Sequence, residues 1–99
     1  MQPTFEQYLE NTGALLLCPS CNGNSLRHEK VEVFERDEDK SDGIHISIAG
    51  GAATIDNNLV GNPSSRRHGL GIRFTCEHCS AHPVMTIVQH KGNTWIDFK

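Results

Sequence analysis

All four cysteines of this 99-residue chain lie in two short motifs, C-P-S-C at 18–21 and C-E-H-C at 76–79. One C-x-x-C turn directs two sulfur atoms toward a common point, and two such turns supply the four thiolates of a tetrahedral metal site. We therefore predict a single structural Zn²⁺ held by Cys18, Cys21, Cys76 and Cys79. Because four thiolates leave no coordination position for water or substrate, we expect no enzymatic activity.

Other uses of the cysteines stay open at this point. Iron or an iron-sulfur cluster also takes four thiolates. C-P-x-C resembles the glutaredoxin dithiol, but here turn-forming residues follow at 22–25, where that motif would enter a helix. Disulfides need an oxidising compartment. The first six residues contain neither the basic region nor the apolar run of a signal peptide, so we expect a cytoplasmic protein.

The segments L-C-P-S-C-N-G at 17–23 and F-T-C-E-H-C at 74–79 resemble the two knuckles of the zinc-ribbon superfamily. The resemblance implies that each knuckle lies at the tip of a β-hairpin, with the strands behind them forming a small antiparallel sheet. The chain departs from the family pattern in two respects. Asn22 and Ser80 stand where glycine is usual, and 54 residues separate the two motifs. The chain also resembles short zinc-ribbon proteins of bacteria and their phages, a resemblance that implies no particular function.

Composition predicts one domain, residues 1–99, with a thin core, since only 36% of the residues are hydrophobic and six are aromatic. A structural zinc compensates for such a core. The longest apolar run, 14–18, is far shorter than the roughly 18 residues that a membrane span requires, so we expect no membrane association.

The expected fold is mainly β with one short N-terminal helix. Thr4 and Gln7 have the spacing of a capping box, which predicts a helix over about 4–12. Its apolar residues Phe5, Tyr8 and Leu9 would share one face, which either packs over the sheet or binds a partner.

Alternating apolar and polar residues predict strands at 26–34, 44–48 and 70–75, with an extended insertion over 35–69 between the two knuckles. A return strand at 84–88, apolar on both faces and therefore central in the sheet, forms a final hairpin with 94–98. In the strand at 44–48 the three isoleucines would share one face and His45 would lie exposed on the other. Trp95 is either a buried cover or an exposed stacking platform, and we favour burial because a thin core needs large side chains.

Charge is divided unevenly along the chain. Residues 1–43 contain nine acidic and four basic residues, for a net charge of −5, whereas residues 44–99 contain three and five, for +2. The acidic excess includes Glu35, Asp37, Glu38 and Asp39. This segment is either a solvated turn or a surface for binding another protein.

A long loop carries the opposite charge. Arg66, Arg67 and His68, with help from Arg73, have the chemistry for contacting an anion or a nucleic acid. Alternatively, the arginines pair with the acidic segment. The function that we predict is a non-enzymatic zinc module that mediates protein–protein interaction. The alternatives are a nucleic-acid-binding or transcription-associated zinc ribbon and, second, a thiol redox protein.

Overall fold

The computed structural model describes all 99 residues, and every regular element in it is a β-strand. The strands are β1 (Phe5–Leu9), β2 (Gly13–Leu16), β3 (Leu26–Glu35), β4 (Ile44–Ala49), β5 (Ala52–Asp56), β6 (Gly69–Cys76), β7 (Val84–His90) and β8 (Asn93–Phe98). They form a two-stranded hairpin, β1-β2, and a six-stranded sheet of order β5-β4-β3-β6-β7-β8, both antiparallel. The predicted mainly β, antiparallel class is confirmed. No helix long and apolar enough to cross a membrane is present.

The predicted N-terminal helix over 4–12 is wrong, because this segment forms β1 and the turn after it. Phe5 pairs with Leu16 across the hairpin, and Gln7 bulges out of the register with a φ of 51°. Gly13 has a φ of 117° at the end of the hairpin turn. An isolated helix this short is marginal in water, so pairing with the neighbouring apolar segment outweighs the local capping signal.

The central pair of the large sheet, β3 and β6, joins the two halves of the chain. Leu26 pairs with Cys76 at one end and Val33 pairs with Leu70 toward the other. The start of β3 follows the first cysteine motif, and the end of β6 enters the second. Pairing these strands therefore brings the two motifs to the same end of the sheet. The insertion over 35–69 contributes β4 and β5 to one side of the same sheet.

Side chains of one face form two continuous apolar rows, because residues in register on neighbouring strands share a face. We call this surface the apolar face. Its first row crosses all six strands through Ile55, Ile46, Val33, Leu70, Ile87 and Ile96. Its second row runs parallel, closer to the cysteines, through Ala53, Ile48, Val31, Ile72, Met85 and Phe98.

The opposite face is polar and is partly covered by the loop over 57–68. Ser64 in this loop is buried, and its hydroxyl donates a hydrogen bond to the carbonyl oxygen of Gln89 at the end of β7. A Cβ atom on Gly61 would lie 3.9 Å from the ring of Phe34, which is itself only 1% exposed. The loop thus covers Phe34 and gives this face its main apolar contact.

His45 stacks on Phe34 beneath this cover, with ring centroids 4.5 Å apart and an interplanar angle of 7°. Its Nδ1 lies 2.9 Å from a carboxylate oxygen of Asp56, and its Nε2 lies 3.0 Å from one of Glu32. Burial lowers the pKa of His45, but the hydrogen bonds to the two carboxylates outweigh burial and raise it. The side chain is only 13% exposed, so the prediction of an exposed histidine is wrong.

Trp95 also differs from its prediction. Its side chain lies on the polar face near the edge of the sheet and is 54% exposed. The indole N–H donates a hydrogen bond to the carbonyl oxygen of His90 across the β7–β8 turn. The loop that covers Phe34 does not extend over this strand, which leaves the indole in contact with solvent.

The raised pKa of His45 predicts that its contribution to stability depends on pH. A raised folded-state pKa stabilises the fold fully below the unfolded-state value of about 6.5 and less as the pH rises through the folded-state pKa. We expect the difference in free energy of unfolding between the zinc-loaded wild type and H45Q to shrink as the pH rises above about 6.5. Urea unfolding at several pH values measures this difference. H90Q, at an exposed histidine of the same sheet, is the control. If the difference in free energy of unfolding between wild type and H45Q does not change with pH, the raised pKa of His45 is contradicted.

Candidate metal centre

The first cysteine motif follows β2 and closes as a tight turn. The amide of Asn22 donates to the carbonyl oxygen of Cys18 at 2.8 Å, and the amide of Cys18 donates to the carbonyl oxygen of Gly23 at 2.9 Å. Asn22 has a φ of 64°. Asparagine tolerates this left-handed conformation, so the turn forms without a glycine at this position.

The second motif begins at the last residue of β6, and one backbone contact ties it to the first. The amide of Glu77 donates to the carbonyl oxygen of Ser25 at 3.1 Å. Close packing reinforces this contact, since a Cβ atom on Gly23 would lie only 2.8 Å from a ring carbon of His78. From the sequence alone, Gly23 is predicted only as a turn residue. Its second role, leaving room for the opposite motif, depends on the pairing of β3 with β6.

The four sulfur atoms lie within 4.8 Å of one another. The Sγ atoms of Cys18 and Cys79 are 3.8 Å apart, and those of Cys21 and Cys76 are 3.6 Å apart. A tetrahedron of sulfurs about 2.3 Å from a central zinc has edges of about 3.8 Å. These separations are also far longer than the roughly 2.05 Å of a disulfide, and all four cysteines are free. The cluster therefore fits one tetrahedral metal ion, and zinc suits its ligand set.

Backbone amides surround the sulfurs. The amide of Gly23 lies 3.4 Å from the Sγ of Cys21, and the amide of His78 lies 3.4 Å from the Sγ of Cys76. The backbone amides of Ser20 and Cys21 lower the pKa of Cys18, and that of Ala81 acts against the net rise in the pKa of Cys79. Donors aimed at sulfur stabilise the thiolate over the thiol, and the thiolate is the form that binds metal.

The thiols also influence one another. Burial raises the pKa of Cys18, but hydrogen bonds from the backbone and from neighbouring thiols outweigh it and lower the pKa to about 7. The amide of Gly23 lowers the pKa of Cys21, whereas burial and the three other thiols raise it, and the net result is about 12. The thiol of Cys18 thus loses its proton readily, whereas that of Cys21 does not. Four thiolates at this spacing repel one another, and a divalent cation at their centre removes that repulsion.

Neither nearby histidine lies among the four sulfurs. The Nε2 of His78 is 3.1 Å from the hydroxyl of Ser25, and the Nδ1 of His82 is 2.9 Å from a carboxylate oxygen of Glu29. These contacts orient both imidazoles toward polar partners beside the cluster. The ligand set that fits the metal is therefore the four cysteines alone.

The structure brings the predicted basic and acidic segments together. Arg66 binds the carboxylate of Asp39 through Nε and Nη2, with the Nε contact at 2.7 Å, and Arg67 lies 2.7 Å from a carboxylate oxygen of Glu38. Pairing of the arginines with the acidic segment, one of the two alternatives from the sequence, is what the structure shows. Contact of the arginines with an external anion stays a prediction.

The other residues that the sequence predicts as contacts for a partner lie outside this network of ion pairs. His68 accepts a hydrogen bond at its Nδ1 from the amide of Arg36, at 2.9 Å. Arg73 contacts a different acid, Glu29, at 2.8 Å. Glu35 and Asp37 are exposed and form no ion pair. The predicted charged residues thus divide into one network of Arg66 and Arg67 with Glu38 and Asp39, a separate pair of Arg73 with Glu29, and unpaired acids.

No protein-family model, no curated protein and no solved structure matches this chain. The zinc-ribbon resemblance therefore depends on the two cysteine motifs. What the structure supports directly is a four-cysteine cluster of metal-binding geometry on a β-sheet scaffold.

We expect the purified protein to contain one zinc per chain and to lose its β structure when a strong chelator removes the metal, because the protein core is small. C76S should lose the metal, since three thiolates leave the site open. H82A is the matched control and should retain it, because His82 lies outside the cluster. Elemental analysis with circular dichroism measures both properties. A metal-free protein with an unchanged fold and reversibly oxidising thiols would contradict the structural metal site. Iron in place of zinc would keep the site but change the identity of its metal.

Proposed function

We propose that this chain is a structural-zinc domain that binds another protein and catalyses no reaction. The observation that carries the proposal is the closed cluster of four sulfurs. Cys18, Cys21, Cys76 and Cys79 would occupy every corner of the zinc tetrahedron, whereas a catalytic zinc usually has three protein ligands and one position for water. The metal would supply cross-linking of the fold and no reactive group.

The β1-β2 hairpin is the surface that we assign to the protein partner. Its strands pair only with each other. Phe5, Tyr8 and Leu9 on β1 are 52%, 75% and 58% exposed. A large aromatic side chain gains most from burial in a partner's pocket, and tyrosine is enriched in protein interfaces. Phe5 and Tyr8 share one face of the hairpin, because their partners Leu16 and Ala14 are two residues apart on β2, and the rest of the chain does not explain their exposure.

The hairpin is attached firmly to the rest of the domain. Leu17, directly after β2, is only 4% exposed and precedes the first metal ligand. At the other end, Met1 exchanges two backbone hydrogen bonds with Phe98, and its ammonium group lies 2.7 Å from the carboxylate of Asp97. The zinc and these contacts would hold the hairpin in place while one of its surfaces remains exposed. A partner would therefore meet an ordered surface.

Charge pairing argues against the nucleic-acid alternative. Affinity for nucleic acids comes largely from lysines and arginines that neutralise phosphates. Arg66, Arg67 and Arg73 each contact a carboxylate of this chain, and the net charge is −3. A phosphate backbone would have to displace those carboxylates before it gained the same contacts.

Binding by the zinc-loaded protein tests the proposal. The immobilised wild type should capture a specific protein from an extract of its source cells, and the F5S/Y8S double variant should bind that protein at least about tenfold more weakly. V60S is the matched control, because Val60 is 83% exposed but lies in the loop over 57–68. If V60S loses as much affinity for the captured protein as F5S/Y8S does, the hairpin is not the binding surface.

A second measurement separates the two kinds of partner. Fluorescence anisotropy with labelled single-stranded DNA, duplex DNA and RNA at about 50 mM salt should detect no binding by the wild type. Affinity for a nucleic acid that falls steeply with added salt, and that increases in E38Q/D39N because the arginines are freed, would overturn the proposal in favour of the alternative.

A further inference from the structure

The apolar face of the six-stranded sheet is uncovered over most of its area. In its first row, the end residues Ile55 and Ile96 are 73% and 46% exposed, and the four residues between them are only half-buried. In its second row, Ile48 is 47% exposed. No side chain of the first row is buried. Apolar rows this continuous are typical of a sheet that packs against another layer.

The rest of the chain covers other surfaces. The loop over 57–68 lies on the polar face. Near the metal centre, Met85 and Phe98 at the end of the second row are 5% and 1% exposed, and the ring of Phe74 lies 6.3 Å from that of Phe98. Burial on the apolar face is thus confined to the end nearest the cysteines.

The total accessible surface also indicates a missing layer. The chain exposes 6699 Å² and buries only 9 of its 99 residues. A folded monomer of 11.0 kDa is expected to expose about 5,600 Å². The excess of about 1,100 Å² is of the size that one partner contributes to a stable interface, which is typically about 800 Å².

We propose that the apolar face is the interface of a homodimer in which two six-stranded sheets pack face to face. Its two rows contain no charged side chain, so two copies related by a twofold axis would meet without like-charge repulsion. The rows are rich in isoleucine and valine, whose branched side chains interdigitate when sheets pack about 10 Å apart. The result is a β-sandwich with the metal centres and the polar faces outside.

This interface is distinct from the β1-β2 hairpin, so the dimer goes beyond the proposed function and each proposal can fail alone. If F5S/Y8S loses partner binding but keeps the mass of the wild-type protein in solution, the hairpin is supported as the partner's binding surface and the dimer proposal is unaffected. A monomeric wild type would overturn the dimer without affecting the hairpin.

Sedimentation equilibrium of the zinc-loaded full chain across a dilution series tests the dimer. We expect a mass of about 22 kDa, twice the 11.0 kDa of one chain, that falls toward one chain on dilution. I48E/I96E places two charges on the apolar face and should weaken association at least about 100-fold. A49E/W95E is the matched control, because it adds the same charges to the same strands on the opposite, solvent-exposed face.

Zinc content and circular dichroism check that both variants fold. If I48E/I96E does not fold, I48T/I96T replaces it, because threonine keeps the branched shape and β propensity while reducing the apolar surface. A wild type that sediments as one chain at every concentration would overturn the dimer proposal. The apolar face would then be a binding surface for a different protein. A dimer that I48E/I96E and A49E/W95E weaken equally would place the interface elsewhere.

Discussion

The contact among four sulfur atoms is the interaction on which the rest of this structure depends. The buried hydrophobic residues are few, and two of them, Cys18 and Cys76, belong to the metal cluster itself. Metal binding in zinc-finger peptides has an apparent free energy of about 10 to 16 kcal/mol, which equals or exceeds the usual stability of a whole domain. A zinc ion would therefore do here what a larger hydrophobic core does elsewhere, and it would join the hairpin to the sheet at a single point.

A metal that stabilises the fold from one end leaves the remaining surfaces free for recognition. The polar face uses its charges internally: Glu32 and Asp56 bind His45, and beside it the arginines of the loop bind the acidic segment. The apolar face has no such internal partners. The hairpin presents a third surface of aromatic and aliphatic side chains. Protein recognition agrees with this distribution better than recognition of a polyanion, because two exposed surfaces are apolar and Arg66, Arg67 and Arg73 are paired with carboxylates.

The four-cysteine cluster and most strands could be predicted from the sequence, because C-x-x-C spacing and alternation are local properties. Prediction failed where the outcome depends on distant segments. The capping signal at Thr4 and Gln7 was overridden by pairing between Phe5 and Leu16. Alternation in β4 showed that the sheet has two faces, but not which face the loop over 57–68 would cover. His45 is consequently enclosed, whereas Ile44 and Ile48 of the same strand are exposed, the reverse of the simplest expectation.

The 54 residues between the two cysteine motifs also affect how the metal is acquired. Closing a flexible loop about three times longer than usual in such sites costs about 1 kcal/mol more in chain entropy. Each motif offers only two thiolates by itself, and the other two arrive when β3 pairs with β6. Complete coordination would thus require this non-local pairing, and contacts between segments so distant in sequence favour slow folding. Metal supply during synthesis would then influence how much of the chain reaches its native state.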